Sequence, residues 1–244
     1  MKIKIINPNT TWSLTNDLQI EAQKYALPTT EIISVSPRSG PASIESFYDD
    51  YLSIPGIFEE IRKGDQEEDI DAYVIACFGD PGLLGAREIT SAPVIGIAEA
   101  AMQMASMIAA SFTIVTTLPR TRLMSEHVVL HNGMQHKCRN IRTTPLHVLD
   151  VQNDKETSVR QIIEECRKAV TEDQAEAIVL GCAAMSAQRE YIQEACGIPV
   201  IDGTLAAVKF CEALVGLGVT TSKALTFATP EKKAFSGILQ SFGS

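Results

Sequence analysis

The sequence predicts an α/β protein made of two similar halves. Short segments rich in Ile and Val alternate with longer segments of helical pattern, which is typical of strands alternating with helices. The strand segments are apolar throughout, as expected for parallel strands that are covered on both faces. The chain also contains two copies of one unit, in which an acidic residue precedes an apolar strand that stops on a cysteine. These features predict two pseudo-symmetric Rossmann-like domains, each with a four-stranded parallel sheet flanked by helices.

The predicted elements follow the same order in both halves. In the first half, strands are predicted over residues 2–7, 30–35, 71–76 and 93–97, with helices over 13–25 and 51–63. In the second half, strands are predicted over 112–116, 144–149, 177–180 and 199–201, with helices over 155–171 and 204–217. A helix rich in Met and Ala is predicted over 98–110, and its composition favours a packed core or an interface.

The duplication shows which positions of the two halves correspond. Asp71 lies six residues before Cys77, and Glu176 lies six residues before Cys182. The match continues, because Pro-Val-Ile-Gly begins sixteen residues after the first cysteine and Pro-Val-Ile-Asp begins seventeen residues after the second. Two such copies that face each other across a pseudo-twofold axis would present one thiol to each side of a shared site.

Composition excludes several classes of protein. The chain has 244 residues and a net charge of −9, and it lacks the clustered Lys and Arg that nucleic acid binding needs. No apolar run approaches the roughly 18 to 20 residues of a membrane span, and the apolar run at the start is too short for a signal peptide. We therefore expect a cytoplasmic protein with six reduced cysteines and no disulfide, and no nucleic acid or membrane partner.

Ligands of open α/β sheets bind beyond the carboxyl ends of the strands. Asn7-Pro8-Asn9 follows the first predicted strand, and Thr116-Thr117 ends the corresponding strand of the second half. Cys77 and Cys182 end the other corresponding pair of strands. These segments therefore predict a single site with internal symmetry.

The paired cysteines suit proton exchange at carbon. A helix that starts after a thiol favours the thiolate, and it can lower the thiol pKa from about 8.5 toward neutrality. One thiolate could then act as base while the other thiol acts as acid, with the roles reversed for the opposite enantiomer. The alternative is that Cys77 and Cys182 are small buried apolar residues, which is the commonest use of free cysteine.

Several motifs together resemble the hydantoin and allantoin racemase branch of the aspartate/glutamate racemase superfamily. They are Asn7-Pro8-Asn9-Thr10, Gly40-Pro41-Ala42-Ser43-Ile44-Glu45, Cys77-Phe78-Gly79-Asp80-Pro81-Gly82, Thr116-Thr117 and Gly181-Cys182-Ala183-Ala184-Met185. The resemblance implies racemisation without a cofactor, with Cys77 and Cys182 as the two bases. It also implies that the C-terminal segment returns to the first domain, so we predict a first domain of residues 1–98 plus 205–244 and a second of 99–204, with the active site between them.

The residues after the thiols favour a cyclic ureide as substrate. The amino-acid racemases typically have Asn-Thr and Thr-His at these two places, whereas this chain has Phe78-Gly79 and Ala183-Ala184. Removal of the C5 proton of a 5-substituted hydantoin, such as allantoin, builds enolate charge that backbone N–H groups near both cysteines could receive. The candidate substrate-binding residues are Asn9, Ile44, Phe78, Gly79, Asp80, Thr116, Thr117, Gly181 and Ala183.

Simpler roles for these residues stay open. Asn9, Thr117 and Asp80 could cap the helices that follow them, instead of contacting a substrate. His127 and His131 have helical zinc-ligand spacing but lack an evident third ligand, so we predict no metal site. The Met- and Ala-rich helix could pack against a copy of itself, so a homo-oligomer is expected.

Three other functions remain alternatives to a racemase of cyclic ureides. The first is another reaction of the same superfamily, such as that of an amino-acid racemase or a maleate isomerase, whose substrates carry carboxylates. The second is an arylmalonate decarboxylase, which would be expected to lack one of the two thiols. The third is a two-lobed binding protein without chemistry, whose thiols would be inert.

Overall fold

The computed structural model describes residues 1–243, which form two four-stranded parallel sheets. The first sheet has the order β2-β1-β3-β4 and the second the order β6-β5-β7-β8, so the two halves share one topology. The strands are β1 (Lys2–Ile6), β2 (Glu31–Val35), β3 (Ala72–Ile75), β4 (Val94–Gly96), β5 (Phe112–Thr116), β6 (Cys138–Thr143), β7 (Ala177–Leu180) and β8 (Val200–Asp202). The predicted fold class is therefore confirmed.

Helices follow the strands of both halves. They are α1 (Trp12–Tyr25), α2 (Phe47–Lys63), α3 (Leu83–Ile89), α4 (Ile97–Ile108), α5 (Arg122–His131), α6 (Val148–Asn153), α7 (Lys155–Thr171), α8 (Arg189–Cys196) and α9 (Gly203–Gly216). Within residues 1–243, none of these helices combines the length and the apolar character needed to cross a bilayer.

The strand register aligns the ends that carry the predicted site. Ile6 of β1 lies opposite Ile75 of β3, and Val115 of β5 lies opposite Leu180 of β7. Because both pairs are parallel, the segments that follow β1 and β3 leave their sheet at the same edge, and so do those that follow β5 and β7. All four strands are almost completely buried, which explains their apolar sequences.

Two helices exchange places between the halves. The helix α4 follows β4 of the first sheet but packs against β7 and β8 of the second. The helix α9 follows β8 of the second sheet but packs against β3 and β4 of the first, and the two helices pack against each other. One continuous hydrophobic cluster therefore joins the sheets, from Val74 through Ala101 and Val208 to Val179. The domain boundaries near residues 98 and 204 stay a prediction.

Most of the apolar surface of α4 is buried within the molecule. Its residues Ala98, Ala101, Met102 and Ala105 are buried inside the molecule. Small side chains here allow α4 to approach α9 and the second sheet closely. This face of α4 is therefore not available to a second copy of the chain, and the oligomeric state itself stays a prediction.

The strand predicted over 144–149 was wrong. The structure places β6 at Cys138–Thr143, and α6 begins at Val148. Of the β6 residues, Ile141 alone is fully buried, because β6 is the edge strand of its sheet and is covered less than the central strands. An edge strand of this composition has no apolar run in its sequence, whereas Leu146, Val148 and Leu149 of the next segment resemble one.

Candidate active site

Cys77 and Cys182 line one cleft between the two sheets. Each cysteine lies two residues after the last residue of its strand, β3 for the first and β7 for the second, and each keeps part of its surface open. The cleft is also lined by eight of the nine predicted substrate-binding residues: Asn9, Ile44, Phe78, Gly79, Thr116, Thr117, Gly181 and Ala183. Asp80 is the predicted residue that does not line it.

The two thiols have matching backbone neighbours. The backbone N–H of Gly79 lowers the pKa of Cys77, and the N–H of Ala184 lowers the pKa of Cys182. In each case the donor lies two residues after the cysteine, so the duplication extends to the surroundings of the sulfur. Such a donor favours the thiolate over the thiol.

Burial nevertheless raises both thiol pKa values, so the expectation of a lowered pKa was wrong. Desolvation raises the pKa of Cys182 to about 11. For Cys77, desolvation and then the nearby charge of Asp50 raise the pKa still further. A turn separates Cys77 from α3, and a short 3-10 helix, Ala183–Gln188, follows Cys182. Neither thiol therefore has the N-terminus of a long α-helix to offset its burial.

The loop after β1 holds Asn9 in a fixed orientation. The Asn9 Oδ1 atom accepts hydrogen bonds from Asn7 Nδ2 at 3.0 Å and from the backbone N–H of Thr11 at 2.9 Å. Asn7 Nδ2 also donates to Thr15 Oγ1 at 3.0 Å, which ties the loop to α1. Both hydrogen bonds engage the Oδ1 atom of Asn9 within the protein, so its Nδ2 group is the part of the amide that can contact a ligand.

The corresponding segment of the second half supports the end of β7. Thr116 Oγ1 donates to the carbonyl of Gly181 at 2.7 Å, directly before Cys182. A Cβ added to Gly181 would lie 2.5 Å from Thr116 Cβ, so a larger residue does not fit there. Thr116 therefore positions the strand end that carries Cys182. The Thr117 backbone carbonyl accepts from Thr121 Oγ1 at 2.7 Å, and no side-chain cap by Thr117 is formed on α5.

Asp80 caps α4. Its carboxylate accepts from the backbone N–H of Ala98 at 3.0 Å and of Glu99 at 2.9 Å. The capping alternative placed Asp80 on the helix that follows it, but that helix, α3, has no side-chain cap. Burial raises the pKa of Asp80 to about 7 despite the two N–H donors. The backbone N–H of Asp80 donates to the Cys77 carbonyl at 3.0 Å. Asp80 therefore connects the loop that carries Cys77 to the start of α4.

Sequence reasoning missed the walls of the cleft that helices supply. Met124 and Ser125 of α5 and Val148 of α6 line one part, and the α1 residues Leu14, Asp17, Leu18 and Glu21 line another. The positions of these side chains depend on how the helices pack, so no local motif marks them. Among the lining residues, which all lie within residues 1–243, none is Lys or Arg.

A connection between the halves lies beside the cleft. The carboxylate of Glu45 accepts from the backbone N–H of Val148 at 2.9 Å and lies 2.9 Å from His147 Nδ1. The hydrogen bond to Glu45 raises the pKa of His147. Since Ile44 lines the cleft, this contact connects one wall of the cleft to the second half.

No group of three His, Cys, Asp or Glu side chains able to hold a metal ion occurs within residues 1–243. His127 and His131 both lie on α5, and His127 packs its ring against Phe47 with the centroids 5.6 Å apart. These two histidines border a different cavity from the one that contains the thiols.

Two similar α/β halves thus meet at one cleft, and each half contributes one cysteine to its lining. The model of the Asp/Glu/Hydantoin racemase family matches residues 3–211. The chain belongs to this family, which confirms the resemblance found in its motifs.

Relatives with assigned names agree with this membership. A hydantoin racemase of Pseudomonas sp. (strain NS671) is 53% identical over 243 residues, which cover 100% of this chain and 97% of that protein. The structure of the allantoin racemase from Klebsiella pneumoniae is 45% identical with a TM-score of 0.96, and the match covers 100% of this chain and 99% of that one. A glutamate racemase structure from Bacillus anthracis shares the fold at 17% identity and a TM-score of 0.63, over 90% of this chain and 84% of that one.

Proposed function

We propose that this protein racemises 5-substituted hydantoins, with allantoin a leading natural candidate, by means of Cys77 and Cys182. The observation that carries the proposal is that both cysteines, from corresponding positions of the two halves, line the same cleft. The names of the relatives support the class of substrate.

Two thiols are sufficient for the proton transfers. The C5–H bond of a hydantoin lies between a carbonyl and a nitrogen, so its proton is the most acidic one on carbon in the ring. The thiolate of one cysteine takes this proton and becomes a thiol, while the C5–H electron pair moves into the ring as an enolate whose charge lies on the C4 oxygen. The thiol of the other cysteine then returns a proton to the opposite face of C5 and becomes a thiolate. The opposite enantiomer uses the same two groups with their roles exchanged.

The polar and apolar walls of the cleft suit such a ring. The free NH₂ group of Asn9 and the hydroxyl of Thr117 would bind ring oxygens or N–H groups, and Ile44 and Phe78 would form an apolar wall. The backbone N–H groups of Phe78 and Ala183, each directly after a cysteine, are the candidate donors to the enolate oxygen.

The charges of the cleft support an uncharged ring over a dicarboxylate or a free amino acid. A substrate carboxylate is usually bound by Arg or Lys. The residues that line this cleft include Asp17 and Glu21 but no cation. This observation is unfavourable to the activities of the amino-acid racemase and maleate isomerase kind.

The direct test is circular dichroism over time on enantiopure allantoin and 5-benzylhydantoin, with L-aspartate and L-glutamate as controls. Reduced, metal-free protein should bring the signal of at least one hydantoin to zero and leave both amino acids unchanged. A constant signal on both hydantoins, after correction for spontaneous racemisation, would refute the proposal.

Single cysteine variants test the mechanism. Cys77→Ser and Cys182→Ser should each abolish racemisation, because each lacks one of the two proton carriers. A variant can still exchange the C5 proton of one enantiomer with deuterium from D₂O, since the remaining thiol returns a proton to the same face. Cys211→Ser, which changes a buried thiol of α9 away from the cleft, is the matched control. Racemisation by either active-site variant at the wild-type rate would exclude the two-thiol scheme.

A further inference from the structure

A buried carboxylate beside the cleft has no role in the scheme described so far. Asp50 lies in the first turns of α2 and is 7% exposed. Its Oδ1 atom is buried and finds no hydrogen-bond partner within residues 1–243. An unpartnered buried carboxylate is costly to keep ionised, so its retention at this place requires an explanation.

Asp50 lies against the glycine that contacts the Cys77 sulfur. A Cβ added to Gly79 would lie 2.5 Å from Asp50 Oδ1, so the carboxylate is in contact with the Gly79 backbone. The N–H of the same glycine lowers the pKa of Cys77. A negative charge at this distance opposes the formation of a second negative charge on the sulfur.

The carboxylates near Cys182 differ from Asp50 because donors offset their charge. Asp202 accepts from Ser186 Oγ at 2.6 Å and from the Leu205 N–H at 2.8 Å. Glu45 is paired with His147 and with the Val148 N–H. Neither Cys77 nor Cys182 has a Lys or Arg among its neighbours in the cleft. The two sides of an otherwise symmetric site therefore differ in one unneutralised charge.

We propose that the carboxylate of Asp50 keeps the proton on Cys77, so that Cys182 is the thiol that ionises first and acts as the base in the reactive form of the enzyme. This inference rests on the proposed two-thiol function. In the first half-reaction from this state Cys182 accepts the C5 proton and Cys77 donates its own, after which the enzyme carries a thiolate at Cys77 until a proton moves back. Asp50 is a positioning residue in this account, since it acts on the proton of Cys77 and contacts no substrate.

The pKa values agree in direction with this assignment. Desolvation is the main cause of the raised pKa of both thiols, and the charge of Asp50 is the largest further contribution at Cys77. Cys182 and Asp80 also face Cys77 and contribute less. Burial, together with the neighbouring Asp49, raises the pKa of Asp50 to about 6, so Asp50 is ionised at neutral pH.

The sequence permits a test that does not depend on activity. Trypsin separates all six cysteines, because Cys77 lies in the peptide 64–87 and Cys182 in the peptide 169–189, and the other four lie in four further peptides. Reduced full-length protein is alkylated with iodoacetamide for short times between pH 7 and 12, and each peptide is quantified by mass spectrometry. The pH midpoint of labelling reports the thiol pKa and is independent of how accessible each sulfur is.

In the wild-type protein we expect the midpoint of Cys182 to lie below that of Cys77. Asp50→Asn, which removes the charge and keeps the shape, should increase labelling of Cys77 about tenfold at pH 8 by lowering its midpoint about one pH unit. It should leave the midpoint of Cys182 unchanged. Asp49→Asn makes the same charge change one residue away and should leave the labelling midpoint of Cys77 at its wild-type value. Asp50→Glu keeps the charge, so Cys77 in this variant should react as slowly as in the wild-type protein.

The wild-type measurement alone can overturn the inference. A midpoint for Cys77 below that of Cys182 would refute it without any variant, as would an unchanged Cys77 midpoint in a folded Asp50→Asn protein. Circular dichroism on hydantoins separates this outcome from failure of the proposed function. Racemisation with the reversed order of midpoints would refute only the role of Asp50, and the expected order without racemisation would refute only the function.

Discussion

The carboxyl group of Asp80 occupies the space that a side chain at position 96 would fill. A Cβ added to Gly96 would lie 2.3 Å from Asp80 Cγ. The duplication aligns Gly96 with Asp202, and Asp202 caps α9 with its own carboxylate by accepting from Leu205, three residues later. Both halves thus place one carboxylate at the start of the exchanged helix, but the first half supplies it from the loop after Cys77.

This relationship predicts that a carboxylate at position 96 can cap α4 in place of the one at position 80. Asp80→Gly should cost about 1 to 2 kcal/mol of unfolding free energy because α4 loses its cap. Gly96→Asp should cost about 3 kcal/mol because two carboxylates then compete for one space. The double variant should return to within about 1 kcal/mol of wild type, since the backbone of Gly96 (φ −82°, ψ 143°) resembles that of Asp202 (φ −92°, ψ 129°). Urea unfolding measures the free energy of unfolding of the two single variants and of the double variant. If the losses of the single variants simply add in the double variant, position 96 does not replace position 80 as the source of the cap.

The rate of racemisation should rise with pH. Because burial raises the pKa of Cys182 to about 11 and that of Cys77 further, the thiolate is a minor form at pH 7 and becomes more abundant as the pH increases. We expect kcat/KM to increase about tenfold per pH unit between pH 7 and 9. Cys182→Ser protein measures the background from spontaneous racemisation. A maximum near pH 7 would show that the thiols titrate lower than their burial implies.

Gly181 should tolerate no side chain. Gly181→Ala would push Cβ into Thr116 and displace the end of β7, so Cys182 would move relative to Cys77. A displacement of about 1 Å costs on the order of 100-fold in kcat/KM. Gly216→Ala is the matched control, because nothing lies within 4 Å of a Cβ at that position of α9. Equal activity of the two variants would contradict the role given to the contact between Thr116 and Gly181.

The contact of Glu45 with the second half should help to hold substrate. Glu45→Ala removes two hydrogen bonds to a carboxylate and should raise KM about tenfold. His147→Ala removes the exposed partner alone and should raise KM about twofold, because exposed ion pairs contribute little. His136→Ala changes an exposed histidine before β6 and should have no effect on steady-state kinetics. An unchanged KM in Glu45→Ala would show that the contact between Glu45 and the second half does not contribute to substrate binding.

Asp50→Asn should stabilise the protein near neutral pH. The raised pKa of Asp50 means that its ionised form is disfavoured in the folded state, so the cost is absent below pH 4 and complete above about pH 6. The variant should therefore gain about 1 to 3 kcal/mol at pH 7.5 and nothing at pH 4. Urea midpoints at the two pH values test this. A loss of stability at pH 7.5 would indicate a structural role for the charge.

The sequence was sufficient to predict the fold class and to identify the two cysteines that line the cleft. The buried strands β1, β3, β5 and β7 are uniformly apolar, so their composition marks them. The edge strand β6 carries no such signal. The duplication pointed to position 96 as the equivalent of Asp202, whereas the carboxylate comes from Asp80, because tertiary contact decides which loop fills the space. Burial also decides the direction of the thiol pKa values, and no motif reports it.

The exchange of α4 and α9 between the sheets has a consequence for how the chain folds. Each sheet keeps an apolar face that is covered by a helix following a strand of the other sheet. A fragment that ends after β4 would expose that face, and a fragment that begins at β5 would lack α4, which covers part of its own sheet. Neither half is therefore expected to persist alone, and both should unfold in one cooperative transition. The repeated segment is the unit that was duplicated, whereas the whole chain is the unit that folds.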